Sequence, residues 1–252
     1  MKYNKIQGII LNISQLKDAD KLVTIFTRDK GKTNLLARGA NKILSKKNFL
    51  LDTLNYVEFM VYPSRSGYDL IIETRIIDDF VKIKSDFFTI KVSYYFLEIL
   101  NHFLVQEIES EKIFTAFLDF LEQLTFLATN KEKQVLIIYF QLKILNIFGF
   151  SPELYNCVIC QTKFVSNTNR IVNSEDTLGY ICDKHFDIIN YSDNLIHDDV
   201  IKIQRYLNSQ NITDINKLKI NIKLIKQILD IQNTWLEIII SKKIKSYNLL
   251  IK

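Results

Sequence analysis

The chain has 252 residues, 48% of them hydrophobic and 24% charged, and its 33 Lys and Arg against 28 Asp and Glu give a formal net charge of +5. That apolar share supports a packed core and excludes wholesale disorder, and the length suits one large domain or two ordinary ones. The apolar run "VLIIYFQLKILNIFGF" is interrupted by Gln141, Lys143 and Asn146, so no membrane helix is expected. With no long apolar run and no small-residue cleavage site near Met1, no secretory leader is expected, and three cysteines suggest no disulfide framework; a cytoplasmic protein is the expectation.

In chain order, residues 1–80 read as strands. "QGIILNI" is the first; "KLVTIFT" and "TNLLAR" flank "RDKGK", where Gly31 suits the left-handed position of a short hairpin loop. "VEFMVY" sets Val57, Phe59 and Val61 on one face and Glu58, Met60 and Tyr62 on the other, a period of two. "YDLIIETRII" follows the turn-forming cluster "PSRSG". Five short strands in about 80 residues predict a small closed barrel, which leaves no free sheet edge. Charge is uneven along the chain. Residues 1–80 hold 13 basic and 9 acidic side chains, whereas residues 81–252 hold 20 and 19. Between 28 and 47, Arg28, Lys30, Lys32, Arg38, Lys42, Lys46 and Lys47 face a single acid, Asp29. Such a local patch suits a polyanion, where the bland reading is a solvated lysine-rich face. A small barrel with basic loops and outward aromatics is a common way to hold single-stranded nucleic acid. Tyr56 and Tyr62 are stacking candidates, or else cover the barrel.

After residue 80 the period becomes helical. "SDFFTIKVSYYFLEILNHFLV" carries Phe88, Val92, Tyr95, Phe96, Ile99 and Phe103 at helical spacing. "SEKIFTAFLDFLEQLTFL" opens on Ser110 as an expected N-cap, with Phe114, Phe117, Leu118, Leu121 and Leu124 on one stripe. A third helix starts after Asn130 and stops at Gly149, with Pro152 beyond. "HDDVIKIQRYLNS" and the last forty residues return to helix.

Between these helices lies "CVICQTKFVSNTNRIVNSEDTLGYICDKH", which contains all three cysteines. Cys157 and Cys160 form C-x2-C; after 21 residues, Cys182 and His185 form C-x2-H. Two such pairs suit tetrahedral zinc: each short loop brings two ligands to one side of the ion, and the second pair closes it. Four ligands leave no open position, so the site is expected to be structural, holding down a polar span too poor in apolar residues to fold alone. A redox C-x-x-C fits less well, because Cys157 opens no helix after a strand.

Other chemistry finds little support. His197, Asp198 and Asp199 resemble a phosphohydrolase fragment, but they stand at a helix start, where Asp caps the positive end, and His102 has no catalytic neighbours in sequence. No P-loop, dinucleotide fingerprint or G-x-S-x-G occurs. A non-enzymatic protein is expected. Two rival readings are a zinc-dependent nuclease and a zinc-ribbon transcription or translation factor; the cysteine segment's mixed charge makes a poor DNA-reading surface for the second.

The run "GIILNISQLKDADKLVTIFTRDKGKTNLLARGANK", with its T-R-x-x-G-K turn and A-R-G-A-x-K segment, together with "LKILNIFGFSPELYNCVIC", resembles the RecO family of recombination mediators over nearly the whole chain. Asn41 departs from a frequent basic residue, and His185 replaces a frequent fourth cysteine. The resemblance implies an α+β protein: an OB-fold over 1–80, then a helical domain over 81–252 with a zinc-ribbon-like insertion at about 153–190. It also implies a DNA repair and recombination protein of the cytoplasm, associated with the nucleoid, that binds single- and double-stranded DNA. Such proteins anneal strands coated with single-strand binding protein, help load RecA together with RecR, and contact the C-terminal tail of single-strand binding protein through the helical domain. By position, Arg28, Lys32, Arg38, Lys42, Lys46 and Lys47 are the expected phosphate contacts, and Cys157, Cys160, Cys182 and His185 the expected ligands of a structural Zn2+.

Overall fold

The computed structural model describes residues 3–16, 19–40, 50–65, 67–104, 110–164, 169–173, 177–182, 184–185, 196–215, 218 and 220–250. The chain separates into two compact units, Met1–Leu118 and Asp119–Lys252.

The first unit begins with five strands: β1 (Asn4–Gln15), β2 (Lys21–Thr27), β3 (Gly31–Ala37), β4 (Tyr56–Tyr62) and β5 (Asp69–Asp78). They close into a barrel in the order β1-β2-β3-β5-β4. Only β3 and β5 pair in parallel; the other pairs are antiparallel. Closure depends on β1, whose first half pairs with β4 and whose second half pairs with β2, its register shifting between Ile10 and Asn12. A bulge there bends the strand so that it can serve two neighbours. The period of two then fills the interior: Ile10, Val23, Ile25, Leu35, Val57, Phe59, Val61 and Ile71 form one cluster without solvent exposure. Burying each such side chain stabilises the barrel by about 1.5–3 kcal/mol. In the β2–β3 turn Gly31 has φ 59°, as expected, and the Thr27 hydroxyl donates to the Gly31 carbonyl at 3.0 Å while accepting from the Lys30 N–H at 3.0 Å.

Three helices follow: α1 (Val81–Ser85), α2 (Phe87–Phe103) and α3 (Glu111–Phe126). The sequence reading opens its first helix at Ser85 and does not foresee a separate α1 before it. The break lies at Asp86, whose side chain accepts from the Thr89 N–H at 2.8 Å and caps α2. The change from strands to helices falls near residue 80, and the compact units part at Leu118, within α3. Local contacts tie these helices to the barrel. The Lys84 ammonium pairs with Asp52 at 2.7 Å, and the Ser110 hydroxyl, expected as a helix cap, donates to the Thr27 carbonyl at 2.8 Å.

The second unit contains the rest of α3, then α4 (Asn130–Ile147), the strands β6 (Asn169–Asn173) and β7 (Leu178–Cys182), and the helices α5 (Asp198–Ser209), α6 (Ile222–Ile240) and α7 (Tyr247–Leu250). Helix α4 is the hub, with α5 and α6 packed against it. Because it is covered on nearly every side, it is apolar all round rather than striped. A capping box starts it: the Thr129 side chain accepts from the Glu132 N–H, and the Glu132 carboxylate accepts from the Thr129 N–H at 2.9 Å. It stops where foreseen. Gly149 takes φ 84°, which lets the Phe150 N–H return to the Leu145 carbonyl at 2.8 Å. Among the described residues no helix is long and apolar enough to cross a membrane.

Candidate functional site

The cysteine segment forms two short turns that meet. In the first, the Cys157 N–H donates to the Thr162 carbonyl and the Gln161 N–H to the Cys157 carbonyl, both at 2.9 Å, with Gln161 at φ 60°. In the second, Cys182 ends β7 and His185 lies three residues on. The Cys160 and Cys182 sulfurs are 3.7 Å apart; the His185 Nδ1 lies 3.3 Å from the Cys182 sulfur and 3.6 Å from that of Cys157. All four ligand atoms lie within 4.8 Å of one another. A zinc ion with sulfur at about 2.3 Å requires tetrahedron edges of about 3.8 Å between sulfurs and slightly less to nitrogen. The four expected ligands therefore converge with the spacing of a tetrahedral metal site, and this Cys3His group can hold a metal ion.

The thiols respond to this crowding in opposite directions. The hydroxyl and backbone of Thr162 hydrogen-bond the Cys160 thiol, at 2.9 Å for the hydroxyl, and lower its pKa to about 7. Burial, then the neighbouring thiols, raise Cys182 to about 11. Placing charge on one sulfur raises the cost of charging the next, and a central cation removes that conflict.

The first turn docks on β7. The Glu153 N–H donates to the Leu178 carbonyl at 2.8 Å and the Val158 N–H to the Tyr180 carbonyl at 3.0 Å. Gly179 lies between, at φ 151°. A Cβ there would stand 2.6 Å from the Glu153 carbonyl oxygen and 2.8 Å from Val158 Cγ1, so only glycine lets the two segments approach this closely. The helices hold the assembly from beneath. Tyr180 is fully buried, edge-on to Trp235 with ring centroids 5.7 Å apart, and its hydroxyl accepts from Gln204, whose carbonyl oxygen accepts from Gln232 at 3.1 Å. Burial pushes the Tyr180 phenol well above its ordinary value, so it stays neutral. Arg205 donates to the Leu154 carbonyl at 2.6 Å and lies over the Tyr155 ring at 4.8 Å. The sequence signalled the ligands but not this support, because a lone Gly, Tyr or Gln carries no spacing pattern. His197 proves to be the N-cap of α5, its ring accepting from the Asp199 N–H at 3.2 Å, which gives the "HDD" triplet a structural role.

Of the expected phosphate contacts, the three described ones stand at the two ends of β3. Arg28 and Lys32 lie at the β2–β3 turn. Arg28 pairs with Glu111 at 3.6 Å and lies over the Phe114 ring at 5.7 Å. The Lys32 ammonium donates to the Asn101 carbonyl at 2.7 Å, and burial lowers its pKa. Arg38 is exposed past the other end of β3, roughly 20 Å away along a seven-residue strand. Lys42, Lys46 and Lys47 lie outside the described residues. The two tyrosines also part company. Tyr56 packs against Phe114 at 5.8 Å, while Tyr62 is exposed and meets Tyr3, which the sequence reading missed, at 6.1 Å. Only the register of β1 against β4 brings Tyr3 and Tyr62 together.

Two family models account for almost the whole chain: Recombination protein O N terminal over residues 1–80 and Recombination protein O C terminal over residues 84–248. The chain belongs to the recombination protein O family. It is 26% identical over 245 residues to the DNA repair protein RecO of Caldicellulosiruptor bescii, covering 97% of this chain and 96% of that one. To the RecO of Clostridium novyi it is 32% identical over 180 residues, with 71% and 68% covered; to that of Dehalococcoides mccartyi it is 26% identical, with 89% and 85% covered. Entamoeba histolytica asparaginyl-tRNA synthetase aligns with a TM-score of 0.27 at 13% identity over 68% of this chain and 38% of its own, too slight a likeness to inform the fold. The resemblance drawn from the T-R-x-x-G-K turn and the C-x2-C pair holds across both parts of the chain.

Proposed function

We propose that this chain is a non-enzymatic DNA-binding mediator of recombinational repair, which anneals complementary single strands coated with single-strand binding protein and, with RecR, helps load RecA. The observation that carries the reading is membership of the recombination protein O family over both halves of the chain. A closed barrel with an exposed Arg38 and an exposed tyrosine pair supports it. No bond chemistry is required: cations screen phosphate repulsion between two strands, and base pairing drives their union. The metal in this reading is zinc. Cys157, Cys160, Cys182 and His185 would hold it, and it would supply folding free energy to the insertion. The tail of single-strand binding protein would dock on the helical domain, and action would take place on DNA in the cytoplasm.

The test is to incubate the protein with labelled single- and double-stranded DNA, before and after chelation. Binding of both forms with the strands intact, insensitive to chelation apart from stability, is the expected result. Sequence-dependent binding abolished by chelation would favour a zinc-ribbon transcription or translation factor, and strand cleavage would favour a nuclease. Four converging ligands fill a tetrahedron and leave no position for an attacking water, which argues against the latter.

A further inference from the structure

We propose that the outer face of the barrel at the Arg38 end is a base-stacking belt that makes this protein favour unpaired over paired DNA. The inference rests on the DNA-binding reading above and specifies which side of the DNA strand meets the barrel.

In a closed barrel, alternate side chains point inward and the outward ones are normally polar. Here the inward positions Val23, Leu35, Ile71 and Val61 are completely buried. Their neighbours Leu22, Leu36, Leu70 and Tyr62 therefore point outward. The register joins these four side by side: Leu22 opposite Leu36, Leu36 opposite Leu70, Leu70 opposite Tyr62. Tyr3 continues the row, edge-on to Tyr62, with 49% and 41% of the two residues exposed. One apolar row, its leucines half-buried and its tyrosines exposed, thus crosses four strands on the outer side. On β4 and β5 Met60 and Ile72 extend it, while other outward pairs are polar. The neighbouring outward pair on β2 and β3 is Thr24 donating to Asn34 at 2.8 Å, and Gln7 of β1 donates to Glu58 of β4 at 3.0 Å.

Charge identifies the occupant. Arg38 follows Leu36 by two residues and Arg65 follows Tyr62 by three; both are exposed and neither has a carboxylate partner among the described residues. The carboxylates nearby are turned to the backbone: Asp20 accepts from the Gly39 N–H and Asp69 from the Ser64 N–H, both at 2.9 Å. An aromatic and aliphatic row with a cationic rim is complementary to a single strand, whose phosphates need cations and whose bases present apolar faces. A duplex keeps those faces stacked inside and can use the rim alone. Tyr56, covered by Phe114, takes no part.

The experiment is fluorescence anisotropy of the full chain with a labelled oligothymidine, an abasic oligomer of equal length and a duplex, using the wild type, Tyr62→Ala, Tyr62→Phe and Tyr3→Ala, each checked for an unchanged melting transition. Tyr62→Ala is expected to weaken oligothymidine binding roughly tenfold, with Tyr62→Phe close to wild type and with abasic and duplex binding unchanged. The salt slope should not move, because no phosphate contact is lost. Unchanged oligothymidine binding by Tyr62→Ala, with the wild type still binding, would overturn the belt alone and leave this face to a protein partner. Equal losses on all three ligands would overturn it too. A wild type that binds none of them would overturn the DNA-binding reading itself.

Discussion

Arg38 and Lys32 show how far neighbouring cations can differ. Arg38 stands in solvent past the end of β3, so Arg38→Ala is expected to weaken single-strand binding for all sequences alike and to flatten the slope of log affinity against log salt by about 0.7, the share of one phosphate. Lys32 is held by the Asn101 carbonyl. Lys32→Met should leave the salt slope nearly intact and lower the melting temperature, since a charge-assisted hydrogen bond contributes roughly 1.5–3 kcal/mol, reduced here by partial exposure. Titrating both variants with oligonucleotide at several salt concentrations separates the two roles; a salt-slope loss with Lys32→Met would place a phosphate at the β2–β3 turn. Arg28 falls between them, because its ion pair with Glu111 is solvent-exposed and weak enough to yield to a phosphate. Sequence alone could not make these distinctions. The "RDKGK" run shows where cations are dense, but only the packing of α2 and α3 on the turn decides which of them are engaged.

At the scale of the element, the metal turn and the capped helices give separate predictions. Cys157→Ser removes one of four ligands. Metal content measured on the purified variant should fall well below that of the wild type, while the barrel, in the other compact unit, keeps its transition. Full retention of zinc would count against this ligand set. Gly179→Ala should loosen the same segment with all ligands present, since the added methyl meets the Glu153 carbonyl at 2.6 Å. Zinc binding should also depend on pH with a definite sign. Free Cys160 loses its proton near 7, whereas Cys182 holds its own until about 11. Zinc must therefore displace protons, and apparent affinity should fall as pH drops from 8 to 6; competition with a chromogenic chelator across that range measures it. Helix α4 offers a simpler case: Thr129→Ala, which breaks the capping box, should cost about 1 kcal/mol in denaturant unfolding. Most of this level was legible in the sequence. β2 and β4 lie within a residue of their expected spans because strict alternation fixes a half-buried strand, and the stop of α4 was marked by Gly149. The short α1 before Asp86 was not foreseen, because five residues carry too little periodicity to register and the capping carboxylate of Asp86 is a local feature that period counting does not weigh.

Across the whole molecule, order along the chain carried most of the information. A basic five-strand barrel, then helices, then C-x2-C and C-x2-H pairs, then helices again was readable before any coordinates, and the family models match in that order. What the sequence hid is mostly non-local. The apolar row from Leu22 to Tyr3 exists only through strand register, and the Tyr180–Gln204–Gln232 chain beneath the metal turn joins residues from three elements. The most direct measurement is the annealing of two complementary oligonucleotides, each coated with the cognate single-strand binding protein, without ATP, over a range of salt. The expected result is rapid annealing by the wild type that slows as salt rises, with Arg38→Ala slower at every salt concentration. Coated strands that stay apart at low salt while the protein demonstrably binds them would contradict the proposed role as an annealing mediator.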